Sequence, residues 1–121
     1  MHLEHGFADL GGIPGQRLSD TAGLSGLLLA AANAAGLDPA SAPLVKQGPR
    51  GVAAFLPCHS GFVALHAVPD EGLCFVDVAG LGPVHPQKGL DIVAKRLGAR
   101  ALRTDARRRG AVTQPIEPER L

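Results

Sequence analysis

Apolar and polar residues alternate along this chain with two different periods. From residue 2 to residue 10, HLEHGFADL, the period is two, which predicts a strand with Leu3, His5, Phe7 and Asp9 on one face. GGIPG at 11–15 reads as a loop from its glycine and proline content. From Thr21 to Ala35 the period lengthens to that of a helix, and Leu24, Leu27, Leu28 and Ala31 fall on one side. Asp20 stands where its carboxylate can accept from the free amides of a first turn. Gly36 stands where a left-handed residue can close the last turn.

DPASAP at 38–43 is a linker, and period two then returns. LVKQ at 44–47, VAAFL at 52–56, FVALHAV at 62–68 and LCFVDVA at 73–79 predict four strands. GPRG at 48–51 and PDEG at 69–72 are the turns between neighbours. Residues 86–98 predict a second helix, opened by Pro86, lined by Leu90, Val93 and Leu97, and closed by Gly98. ARALRTDA at 99–106 predicts a last strand, and RRRGAVTQPIEPERL from 107 reads as a solvated tail. The domain is taken as residues 1–110 and the C-terminal tail as 111–121. Strands joined by tight turns are antiparallel. The expected architecture is therefore α+β: a two-layer sandwich, an antiparallel sheet with two helices on one face.

Composition narrows the picture. In 121 residues there are four Phe and no Tyr or Trp, so the core is expected to be aliphatic. A formal net charge of +1 argues against a polyanion binder, and nucleic acid is not expected as a partner. No apolar run approaches the roughly 20 residues of a membrane span. Glu4 and Asp9 sit where a secretion signal would be basic and then apolar. A cytoplasmic location is expected, with Cys58 and Cys74 as free thiols. Cys58, His59, His66 and Cys74 are ligand types for zinc, as are His2 and His5. They lack the paired spacing of a zinc site, and no metal is expected.

The centre of the chain resembles the S-adenosylmethionine decarboxylases, in their short bacterial form. GPRGVAAFLPCHSGFVALHAVPDEGLCFVDVAGLGP is similar to that family's run of a Gly-Val-Ser-Gly strand, Glu-Ser-His, His-Thr-Trp-Pro-Glu, Val-Asp-Val and Cys-Gly. No gap is needed from Gly51 to Gly82. GFADLGGIPGQRLSD is similar to the family's first strand and loop, and the likeness runs from about His5 to Gly110. His66 falls on the family's histidine, Pro69 on its proline and Asp70 on its ribose-binding glutamate.

The resemblance implies a self-cleaving enzyme whose new terminal serine becomes a pyruvoyl group, the electron sink for decarboxylation. Here the aligned cleaved serine is Gly61, the processing serine is Ala53, the proton-donating cysteine is Leu81 and the tryptophan is Val68. A pyruvoyl cofactor is therefore not expected. It would require Ser60, with cleavage after His59, and a one-residue slip that a bulge would have to absorb.

On its residues alone, His66 reads as a buried histidine bonded to a neighbour, and with the resemblance as a candidate acid or base. Asp70 and Glu71 read as solvated turn residues, the resemblance makes Asp70 a ligand-binding carboxylate, and Asp77 reads as structural beside cysteine and valine positions. The expectation is a family member that does not decarboxylate: a binder of S-adenosylmethionine or a related nucleoside, or a regulatory partner. It would act as a homodimer or as a heterodimer with an active paralogue. The alternative is a working enzyme, either a pyruvoyl decarboxylase of spermidine biosynthesis cleaved at Ser60 or a catalyst acting through His66 on a related substrate.

Overall fold

The computed structural model describes residues 1–110, 112 and 114–120. Residues 111, 113 and 121 of the expected tail lie outside the described residues. The chain runs β1 (Leu3–Gly11), α1 (Gly15–Ser19), α2 (Thr21–Ala35), β2 (Leu44–Gly48), β3 (Gly51–Cys58), β4 (Gly61–Val68), β5 (Leu73–Leu81), α3 (Pro86–Leu97) and β6 (Ala101–Arg109). The strands form one sheet in the order β2-β3-β4-β5-β1-β6, and every neighbouring pair is antiparallel.

Both long helices cover the same face. Val52, Ala54 and Leu56 of β3, Val63, Leu65 and Ala67 of β4, and Cys74, Val76 and Val78 of β5 are buried against Leu24, Leu28 and Ala31 of α2 and Leu90, Val93 and Leu97 of α3. Among the described residues no buried residue is polar or charged. The expected two-layer α+β sandwich is the one found. Asp20 accepts from the Gly23 amide at 3.0 Å, and Gly36 and Gly98 end α2 and α3 in left-handed conformations.

Two expectations need correction. α1 stands within the stretch read as loop and lead-in, a five-residue helix too short for periodicity to register. β6 continues through Arg109, so Arg107–Arg109 belong to the sheet and not to a tail. Pairing with β1 holds them there, and Arg108 Nε donates to Glu4 Oε1 at 2.7 Å. Further on, Val112 and Ile116 are exposed and fill no groove.

The second face of the sheet is uncovered. Its positions are the alternates of the buried ones, and they include all four Phe of the chain: Phe7, Phe55, Phe62 and Phe75. The rings of Phe55 and Phe62 stack with centroids 5.8 Å apart. Leu81 also stands exposed there. The core is aliphatic because every aromatic ring is on the other side of the sheet.

Candidate functional site

His66 lies on this uncovered face. Alternation puts Val63, Leu65 and Ala67 under the helices and turns residue 66 the other way, so the expected buried histidine is exposed. Its register partner on β3 is Ala53, the position aligned with the family's processing serine. His66 Nε2 donates to the Arg50 carbonyl oxygen at 3.1 Å. A carbonyl can only accept, so Nε2 carries a proton, and Nδ1 is the acceptor in the neutral ring. Its partner is a neutral carbonyl, not the carboxylate that usually orients a catalytic imidazole.

That bond depends on the tight turn between β2 and β3. Gly51 has φ +117°, and a side chain on it would run into the Ala67 carbonyl oxygen. Only glycine allows the strand to start this close to β4. The turn also divides two depressions. On one side an open cleft of about 760 Å³ is lined by Ser19, Gln47, Arg50, Asp70 and Glu71. On the other a shallow hollow of about 320 Å³ is lined by Lys46, Arg50, Ala53 and His66. Asp70 and His66 thus flank one turn from opposite sides. Asp70 and Glu71 stand on a short 3-10 turn, Pro69–Glu71, which Gly72 closes.

Ser60 and Gly61 are at the far end of β4. Cys58 pairs with Gly61, leaving His59 and Ser60 as a two-residue hairpin turn, and pairing is continuous from there to Val52–Ala67. The Ser60 carbonyl accepts from the Leu81 amide at 2.7 Å. Gly61 is packed against β5: a side chain on it would overlap the Ala79 carbonyl oxygen and lie 2.6 Å from the Gly80 Cα. Five residues of strand separate Gly61 from His66, about 16 Å at the usual rise.

The cysteines take no part in either cluster. Cys74 is buried beneath the helices, on the opposite face from His66, and burial pushes its thiol up to about 12. Cys58 is raised too, first by burial and then by the Asp38 charge. Among the described residues no three His, Cys, Asp or Glu side chains gather as metal ligands. No helix among them is long and apolar enough to cross a membrane.

One pairing escaped sequence reasoning. His5 Nε2 donates to Asp77 Oδ1 at 2.9 Å, across the β1–β5 ladder and on the uncovered face. Asp77 therefore does not sit among the buried cysteine and valine positions, since alternation turns it away from Cys74, Val76 and Val78. The two residues are 72 apart in sequence, and only the strand register reveals the contact.

A family model described as S-adenosylmethionine decarboxylase matches residues 4–110. No curated protein sequence matches the chain. The crystal structure of the adenosylmethionine decarboxylase from Aquifex aeolicus is similar in fold, with a TM-score of 0.79, over 95% of this chain and 96% of that one, at 22% identity. With a match spanning all six strands and all three helices, this chain belongs to the S-adenosylmethionine decarboxylase family.

Proposed function

We propose that this chain is a family member that stays whole, forms no pyruvoyl group and binds a ligand of the S-adenosylmethionine class. The observation that carries this is the contact of Gly61 with β5. The aligned cleavage position has no hydroxyl, and the Ala79 carbonyl oxygen occupies the space in which a side chain would begin. Ala53 beside His66 and Leu81 beside the hairpin supply neither of the other two functional groups. A pyruvoyl group does not fit these residues. The continuous β3–β4 register has no bulge to carry Ser60 into the cleavage position, which weighs against the enzyme cleaved there.

What is retained lies at one end of the sheet. His66 and Asp70 flank the Gln47–Gly51 turn, and the cleft beside Asp70 is within the size range of small-molecule sites. In that cleft Asp70 would accept from a ribose hydroxyl, while His66 would act from the separate hollow on the other side of the turn. The resemblance assigns positions 53 and 66 to the same chemistry as 61 and 81, yet the two pairs stand at opposite ends of the sheet, with 53, 66 and 81 on its open face and Gly61 turned toward the helices with Val63 and Leu65. A second copy packed on the open face would bring the His66 end of one chain towards the Leu81 end of the other. The uncovered face carries every aromatic ring of the chain, as interfaces tend to. A homodimer, or a heterodimer in which this chain lends its His66 end to an active paralogue, would cover that face.

The test is intact mass under denaturing conditions, followed by calorimetry with S-adenosylmethionine. One full-length species that binds, with affinity lost in Asp70→Ala, is the expected result. Two fragments meeting between His59 and Gly61 would restore decarboxylation, and a whole chain that binds nothing would leave only a structural role.

A further inference from the structure

β6 is an outermost strand. β1 pairs along one side of it, its other side meets no strand among the described residues, and all nine of its residues are exposed. Seven of the chain's twelve lysines and arginines fall between Lys95 and Arg109, where the one acid is Asp105. Arg103, Arg107 and Arg109 project from one face of the strand and Arg108 from the other. Among the described residues Arg108 is paired with Glu4, whereas Arg103 and Arg109 have no carboxylate partner.

Asp105 illustrates how this edge takes an anion. Its Oδ1 accepts from the Ala106 backbone amide at 2.8 Å, and its Oδ2 lies 3.7 Å from the Arg107 guanidinium. A backbone amide bonds this carboxylate, and an arginine stands within ion-pair reach of it. Antiparallel pairing with a second β6 about Asp105 would set Arg103 opposite Arg107 and Asp105 opposite Asp105, which disfavours that register. The strand also carries no aromatic ring on which a nucleic-acid base could stack.

We propose that the free edge of β6 docks an acidic, extended segment of a partner polypeptide, which adds to the sheet as a seventh strand. Its backbone would pair with the open edge. Carboxylates at alternate positions would meet Arg103, Arg107 and Arg109 in charge-assisted bonds.

The test is fluorescence anisotropy with a labelled peptide of alternating glutamate and valine. Saturable binding is expected, weakened by about tenfold or more in Arg103→Glu/Arg107→Glu. It should persist in Arg103→Lys/Arg107→Lys, with circular dichroism confirming that both variants fold. A peptide of alternating glutamate and proline has the same charge but cannot pair as a strand, and it should bind far more weakly. Equal binding of the proline peptide would reduce the edge to a charge effect. No binding of either, or indifference to the charge reversal, would overturn the proposal. Tighter binding of oligouridylate than of the glutamate–valine peptide would overturn it in favour of nucleic acid.

Discussion

The carbonyl oxygen of Ala79 on β5 fills the space beside Gly61 on β4 where any side chain would begin. Because the obstacle is backbone in a central strand, it cannot rotate away. Restoring the missing hydroxyl with Gly61→Ser is therefore expected to part the two strands, at a cost of about 1–3 kcal/mol for overpacking, and to leave the chain uncut. Denaturing mass spectrometry and a urea titration read both outcomes. Two fragments from this variant would mean that β5 yields and that only the hydroxyl had been lacking.

Much of the fold is legible because its signals are local. α2 has the expected bounds because Asp20 and Gly36 are capping residues at the two ends of one apolar periodicity. The strands alternate plainly, yet alternation alone does not say which face the helices cover. That choice is made by the packing of α2 and α3 on Val63, Leu65 and Val76, and it is why His66 and Asp77 are turned to the open side. The arginines of β6 look like a solvated tail because none is buried; a long-range ladder to β1 makes them a strand. In the candidate site, His66 and Asp70 could be picked out by resemblance. The turn between them and the crowding at Gly61 depend on register across the sheet.

The uncovered face leads to a prediction about assembly. Phe75 lies near the middle of this face, between His66 on β4 and Asp9 on β1 in register, and it is 42% exposed. If the face is covered by a second copy, Phe75→Glu buries a charge at the centre of that contact and should convert a dimer to a monomer. Sedimentation velocity distinguishes the two. A native protein that is already monomeric at high concentration would remove the face-to-face arrangement.

His5 and Asp77 are each half-buried, so their bond is shielded from water only in part. A double-mutant cycle with His5→Ala and Asp77→Ala should give a coupling of about 0.5–1.5 kcal/mol, the usual net worth of one intramolecular hydrogen bond. Measured by urea unfolding near neutral pH, a coupling indistinguishable from zero would make the contact incidental to stability.

Cys74 supplies a dependence on alkaline pH. Burial raises its thiol from 9.0 to about 12, because the thiolate would be stranded among aliphatic side chains. The folded chain therefore keeps a proton that the unfolded chain releases. The contribution to stability is full below about pH 9 and is lost as pH climbs from there towards 12, by up to about 1.4 kcal/mol per pH unit. Cys74→Val preserves the apolar packing and removes the ionisation, so its unfolding free energy should fall less steeply over this range than that of the native protein. Urea titrations at pH 8, 9 and 10 should show the two curves separating, and curves that stay parallel would place the thiol in a wetter site. In a complementary measurement at pH 8, a thiol reagent should modify half-buried Cys58 in the native state and Cys74 only in urea.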